Sequence, residues 1–316
     1  MPSLEKNKKW IFIVNPVAGG GKVMKQWASI NSELLKADIV FQYRFSKKKM
    51  HITELVKEAI KNNFRKIVAV GGDGTAHEAI NGIFQQNICP SSEITFGLLP
   101  IGTGNDWIKT HRIPKKLQQW TVCIKKEKTV FQDIGFIIFQ KNEKNEKKEK
   151  RFFINVAGLS YDGYVAKKAV GQKTTFFNSL FYLKMMARCL FRYKIPELEI
   201  LFNGQKKEGR LLTVNLGICR YSGGGMQLVP HAKPDDGKLA MTIAGKINPL
   251  AVLLVSPLFY LGKIGWHPKV DFYFATNVRI NPLGNHPVYA EADGEFLGTA
   301  PAEIGIIPNA LKIIVP

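Results

Sequence analysis

Residues 68–83 read "VAVGGDGTAHEAINGI". The apolar run "KIVAV" (66–70) ends there as a buried strand, and Gly71 and Gly72 follow at once. Glycine lets the backbone turn sharply and approach another group closely. Thr75 stands where a helix should begin, with Glu78 three residues on in capping-box spacing, and Ala79, Ile80 and Ile83 share one helical face. A glycine turn of this kind presents backbone N–H groups at a helix N-terminus, at the carboxyl end of a parallel strand, where α/β folds hold phosphate. Asp73 lies inside the turn, suited either to holding Mg²⁺ or to capping its own loop.

Two more glycine stretches fall at equivalent strand ends. "NPVAGGGK" (15–22) follows the strand "WIFIVN", and "PIGTGND" (100–106) follows "ITFGLLP". The first is no Walker A loop, because Pro16 and Val23 occupy positions that need Gly and Ser/Thr. It is no dinucleotide fingerprint either, since Met24 takes the place of the last glycine. Between these loops, helical spacing appears at Trp27, Ile30 and Leu34 and again at Leu55, Val56, Ala59 and Ile60, with "IVFQYRF" as a further strand. Short β-rich runs alternating with helices predict a parallel sheet covered on both faces. Three phosphate-competent loops at one sheet edge predict a nucleotide site.

After about residue 127 strand-like runs dominate, with helical stretches only near 175–193 and 248–262, which predicts a second, largely antiparallel β domain. "ADGE" (292–295) has the Asp-Gly signal of a tight hairpin, in which Asp293→Asn would be silent. "AKPDDGKL" (232–239) reads as a turn between strands, and "KNEKNEKKEKR" (141–151) as a solvated hairpin tip. "FFNSLFYLKMMARCLFRYK" (176–194) is apolar and basic, suited to a membrane interface or to packing on the β domain; "PLAVLLVSPLFYLG" is similar but divided by Pro257.

With 45 Lys and Arg against 25 Asp and Glu, the net charge is +20, which draws the protein to polyanions: nucleic acid, anionic membrane or phosphorylated substrates. No zinc-finger, RNP or basic-zipper pattern accompanies the charge, so nucleic acid is not expected. Cys89, Cys123, Cys189 and Cys219 are scattered and form no CxxC pair; no run is long enough to span a bilayer and no signal peptide is evident. These features predict a cytoplasmic protein.

"NPVAGGGK", "GGDGTAHEAINGI" and "LLPIGTGNDW", in this order, resemble the catalytic domain of the diacylglycerol kinase family, its bacterial lipid kinases above all. The likeness continues through "INVAGLSYDG", "KPDDGKL", "AEADGEFLG" and "PNALKIIVP". It implies an N-terminal α/β nucleotide-binding domain like that of NAD kinases and diacylglycerol kinases over residues 1–127, to which 300–316 return, and a C-terminal β-sandwich domain over 128–299. It implies ATP contacts at Asn15, Pro16, Val17, Ala18 and Gly19, at Ser46, at Gly71, Gly72, Asp73, Gly74, Thr75, Ala76 and His77, and at Thr103. Lys22 is a weaker candidate for phosphate contact. The resemblance makes Asp293 the proton acceptor, with Glu295 beside it, and a structural Mg²⁺ site of Asp236 with the carbonyls of Lys233 and Lys238. The expected reaction transfers the γ-phosphoryl group of ATP to a lipid hydroxyl, first of all diacylglycerol. Phosphatidylglycerol, a sphingoid base and a soluble NAD-kinase-type substrate remain alternatives, and a polyanion binder relying on charge alone would leave the glycine loops unexplained. The expected partners are ATP, a membrane lipid and an anionic membrane surface approached peripherally, with a homodimer left open.

Overall fold

The computed structural model describes residues 9–102, 104–142, 145–171 and 179–316. The chain divides into two compact units, Met1–Gln132 with Asn309–Pro316, and Asp133–Pro308.

The first unit is a three-layer α/β structure. Its strands β1 (Trp10–Val14), β2 (Phe41–Phe45), β3 (Lys66–Gly71) and β4 (Thr95–Pro100) pair in parallel in the order β4-β3-β1-β2. Residues 312 and 313 add in parallel beside β4, Lys312 against Thr95 and Ile313 against Phe96. Helices cover the sheet: α1 (Ala18–Lys36), α2 (His51–Lys61), α3 (Asp73–Phe84), α4 (Trp107–His111) and α5 (Leu117–Lys126). "WIFIV" is buried along its whole length, as a strand covered on both faces must be. Each fully buried Phe, Ile or Val there contributes roughly 1.5–3 kcal/mol. Helix α1 buries Val23, Trp27, Ile30 and Leu34, and Trp27 meets Tyr43 and Phe45 edge-on.

The start of α3 differs from the expected capping box. The helix begins at Asp73 after Gly72, with no side-chain cap. Glu78 reaches instead to the neighbouring helix α2, whose N-cap residue Met50 is left-handed and brings no cap of its own. Its carboxylate accepts the N–H groups of Met50 (2.9 Å) and Ile52 (3.2 Å). A carboxylate at a helix N-terminus also complements the helix dipole. Glu78→Ala leaves two donors without this acceptor, and a loss of about 1–3 kcal/mol is expected, read as a lowered midpoint in urea titration with an unchanged slope.

The second unit is a β-sandwich. Its elements are β5 (Thr129–Asn142), β6 (Asn145–Phe153), β7 (Val156–Ser160), α6 (Tyr161–Ala169), α7 (Ser179–Arg192), β8 (Glu197–Phe202), β9 (Gln205–Gly217), β10 (Tyr221–Ser222), β11 (Met226–Gln227), β12 (Leu239–Gly245), α8 (Pro249–Leu261), β13 (Val270–Ala275), β14 (Asn277–Pro282), β15 (Tyr289–Ala292) and β16 (Glu295–Ile314). Strands β5 and β16 each run across the boundary between the units. The long strand β9 pairs antiparallel with β7, β8 and β12, so the sheet folds over on itself through β7-β15-β16-β14-β8.

The charged run 141–151 belongs to a hairpin as expected, with the strands extending into it: β6 pairs antiparallel with β5, and Glu149 bridges Lys141 and Arg151 at 3.1 Å each. Residues 143 and 144 of that run, and 176–178 of the apolar segment ahead of α7, lie outside the described residues. One expectation changes here. Pro257 does not divide its segment, for α8 runs through it as one helix, capped by Asn248, whose Oδ1 accepts Leu250 N–H at 2.9 Å.

Candidate active site

The candidate residues fall into two groups, one in each unit. In the first, the loops after β1, β3 and β4 are laced together. Asn15 donates from Nδ2 to Thr75 Oγ1 at 3.0 Å, tying the β1 loop to the start of α3. Its Oδ1 accepts the Val17 N–H at 3.3 Å, and Gly19, Gly20 and Gly21 continue in left-handed conformation. Asp73 bridges two loops. Its carboxylate accepts the N–H of Asp106 (3.0 Å to each oxygen) and of Trp107 (3.3 Å), which binds the "GGDGT" loop to the "GTGND" loop. Ile101 N–H donates to Gly71 O at 2.8 Å.

Gly72 is not left-handed, with φ of −112°, so close approach is what demands glycine. A Cβ on Gly72 would lie 3.1 Å from Gly102 Cα, and one on Gly102 only 2.5 Å from Gly72 Cα. The two loops thus touch backbone to backbone. Beside them Asn105 is 2% exposed, donates to Gly102 O, and leaves its buried Oδ1 without a partner among the described residues. A buried acceptor in that state suits the hydroxyl or amino group of a bound molecule. Ser46 is buried at the end of β2, its N–H donating to Val14 O. His77 is buried within α3, its ring 3.3 Å from the Asn81 amide. Pro16, Val17 and Ala18 form the turn entering α1, with Val17 exposed, Gly74 and Ala76 lie in the first turn of α3, and Thr103 lies outside the described residues.

In the second unit, Asp293 and Gly294 form the two-residue turn between β15 and β16, with φ of 52° and 83°. The turn was legible as Asp-Gly, but the carboxylate does more than turn. Oδ1 accepts the N–H groups of Asn155 (3.0 Å) and Val156 (3.3 Å), and Oδ2 that of Ile154 (3.1 Å). The "INVAG" backbone thereby fixes the acid. Glu295 is half-buried at the first position of β16, opposite Ala292.

Sequence reading gave no role to Glu291 or Asp162. Glu291 is 5% exposed, and its Oε2 accepts the Gly294 N–H at 2.7 Å, bracing the turn that carries Asp293. Burial first, then the Asp162 carboxyl, pushes Glu291 well above the usual carboxylate range. Asp162 is also raised by burial, against hydrogen bonds from Thr213 and Asn215. The one visible signal was a carboxylate between two buried alanines in "AEA". Because the folded state holds the Glu291 proton more tightly than the unfolded chain does, its contribution is fully present below the unfolded value and is lost as pH rises through the folded one. Relative to Glu291→Gln, the wild type should therefore lose up to about 1.4 kcal/mol per pH unit in that window, measured by urea unfolding across pH.

At the "PDDG" loop, Asp236 Oδ1 accepts the Lys238 N–H at 3.0 Å, while Lys233 and Lys238 are exposed. Asp133 of β5, which the sequence did not single out, closes the same loop: its Oδ2 accepts Gly237 N–H at 2.7 Å. Carbonyl and carboxylate oxygens are the donor class Mg²⁺ takes. No cluster of three or more His, Cys, Asp or Glu poised for a metal occurs among the described residues.

Comparison with known proteins accords with this layout. The diacylglycerol kinase catalytic domain matches residues 9–137, and the YegS C-terminal NAD kinase beta sandwich-like domain matches 156–315. A diacylglycerol kinase of Staphylococcus carnosus (strain TM300) is 26% identical over 309 residues, covering 98% of this chain and 95% of its own. One from Staphylococcus haemolyticus (strain JCSC1435) is 26% identical over 304 residues, covering 96% and 87%. The solved structure of a diacylglycerol kinase from Bacillus anthracis str. Sterne superposes with a TM-score of 0.71 at 21% identity over 98% of this chain and 97% of that one. A yeast NADH kinase structure shares the fold more distantly, with a TM-score of 0.51 at 11% identity, covering 99% of this chain and 84% of that one.

Proposed function

The chain belongs to the diacylglycerol kinase family of lipid kinases, and from that premise we propose that it phosphorylates diacylglycerol to phosphatidic acid, using ATP. The observation that supports this reading best is the lacing of three glycine loops at the carboxyl edge of one parallel sheet. Backbone N–H groups there receive the phosphates, with Asn15, Gly19, Gly72, Thr75 and Thr103 as contacts. Phosphoryl transfer asks the protein chiefly for positioning and charge stabilisation. Asp293 accepts the proton of the lipid hydroxyl as its oxygen attacks the γ-phosphorus, and ADP departs. Mg²⁺, when bound, neutralises phosphate charge; Asp73 would hold it with the nucleotide, and Asp236 with the carbonyls of Lys233 and Lys238 would hold a structural ion.

Incubation with γ-labelled ATP and either diacylglycerol, phosphatidylglycerol, a sphingoid base or NAD tests the reading. Label should enter the organic phase with diacylglycerol foremost. A stronger signal with another lipid replaces the acceptor, and label in NAD alone overturns the lipid assignment.

The lipid is reached at a membrane. No helix among the described residues is long and apolar enough to cross one. Helix α8 and the turn after it leave Leu250, Leu254, Leu261 and Trp266 exposed by 61–81%, with Lys246, Lys263 and Lys269 nearby in sequence. Exposed apolar residues with lysines close in sequence suit an anionic leaflet, each lysine adding roughly 1 kcal/mol near the surface. Sedimentation with anionic vesicles should fall with added salt, and Leu254→Asp should weaken it about tenfold or more. Equal binding to neutral vesicles would assign the charge another purpose.

A further inference from the structure

Within the second unit, β9, β12 and the helices α6, α7 and α8 line a partly open cavity of about 600 Å³. Its walls are apolar, with Leu190, Leu212, Val252 and Phe259 among them. Its sheet side is not. Direct cross-strand neighbours place Thr242 of β12 against Asn215 of β9, Asn215 against Gly158 of β7, and Gly158 against Glu291 of β15. Residues opposite one another in antiparallel strands share a face, so these four form one row across the sheet. Gly158 leaves the gap in which the polar groups meet: a Cβ there would lie 2.6 Å from Glu291 Oε1 and 3.1 Å from Asn215 Oδ1.

Part of this row is unsatisfied. Thr242 and Asn215, which both line the cavity, are 3% and 2% exposed, yet Thr242 Oγ1 and Asn215 Oδ1 have no hydrogen-bond partner among the described residues. An apolar core gains nothing from two such orphans; leaving each unpaired costs about 1–3 kcal/mol. They make sense where a bound molecule brings the missing donor.

We infer that this cavity binds one aliphatic chain of a lipid alcohol, with the hydroxyl-bearing end on the Thr242–Asn215 row and the chain among the helices. The inference rests on the lipid-kinase reading and narrows its acceptor. The row continues to Glu291, which braces the Asp293 turn, so the hydroxyl end and the candidate base share one stretch of sheet. Taking a methylene to fill about the 30 Å³ of a liquid water, the cavity holds on the order of twenty chain carbons. That is one chain; the second chain of a diacylglycerol stays outside, and the chain of a single-chain lipid is accommodated in full.

Direct binding without ATP tests this, using a monoacylglycerol series from octanoyl to docosanoyl and matched hydrocarbons lacking hydroxyls. Affinity should rise about fourfold per methylene and level off on the order of twenty carbons. Ala244→Phe, which fills the cavity, should move the levelling point to shorter chains, and Ala187→Phe on α7 provides the same test if the first variant unfolds. Thr242→Val should reduce the preference for monoacylglycerol over hydrocarbon by about fivefold while leaving the chain-length dependence intact. A flat series with folded protein, or filling variants that bind like wild type, would overturn the inference even if lipid is phosphorylated. Chain-length-dependent binding without any phosphate transfer would instead uphold the cavity and remove the kinase reading.

Discussion

Gly102→Ala is expected to abolish most of the nucleotide affinity and to leave the fold standing. The added methyl has nowhere to go: Gly72 Cα would be 2.5 Å away and Asn105 Oδ1 2.7 Å away. The obstacle is backbone, which cannot rotate aside as a side-chain end can. The loops after β3 and β4 must part, which pulls on the bond from Asp106 N–H to Asp73 and on that from Ile101 N–H to Gly71 O. Overpacking of this kind costs typically 1–3 kcal/mol, which at the nucleotide site is about a fivefold to 150-fold loss of ATP affinity. Gly72→Ala, whose methyl would press on Gly102 Cα at 3.1 Å, asks for a smaller shift than 2.5 Å does and should cost less. Gly20→Ala provides the contrast, because its Cβ meets nothing within 4 Å and only its left-handed φ is strained. Calorimetry on the three variants should rank Gly102 first. Normal ATP binding by a folded Gly102→Ala protein would show that the loop contact does not shape the site.

How legible these features were in the sequence follows from their range. The parallel sheet could be read because its central strands are short apolar runs, as in "WIFIV", and each long helix carries a one-sided apolar pattern, as with Trp27, Ile30 and Leu34. The glycine loops could be read because backbone geometry restricts their residue choice. The five-residue helix α4 could not, since it completes little more than one turn of periodicity, and α6 was hidden by Gly163 and the polar "YDG" entry. The bonds that organise the site were also hidden, because they join positions remote in sequence. Glu78 matched a capping-box spacing but caps α2, and nothing in its local sequence joined Asp73 to the N–H groups of Asp106 and Trp107. Local spacing identifies a residue able to accept N–H bonds; only the fold decides which N–H groups arrive. Glu291 was missed for a related reason. Strand alternation in "YAEA" does not disclose that both faces of β15 are covered.

Asp293→Asn should lower kcat by 10²–10⁴-fold, the usual contribution of a positioned proton acceptor. Its position in the turn predicts no such loss, because Asn-Gly closes a two-residue hairpin as well as Asp-Gly does. The structure adds a third effect that the turn alone does not carry. The carboxylate accepts N–H groups from Ile154, Asn155 and Val156, using both oxygens. An Asn side chain offers one acceptor oxygen and turns an NH₂ toward a donor, so the variant should also lose about 1–3 kcal/mol of stability. Activity alone therefore cannot distinguish a base from a clamp. Three readouts on one protein can. If Asp293 is a clamp only, displacement of the "INVAG" backbone lowers stability and kcat together, and the pH–rate profile keeps its acidic limb at reduced height. If Asp293 takes the proton, kcat falls far beyond what the stability loss accounts for, ATP affinity stays near that of the wild type, and the acidic limb disappears. The second pattern is the expected one. A variant with turnover within a fewfold of wild type would return Asp293 to the turn and leave the acceptor proton to another group, with Glu291, buried one hydrogen bond away across the hairpin, the first to test.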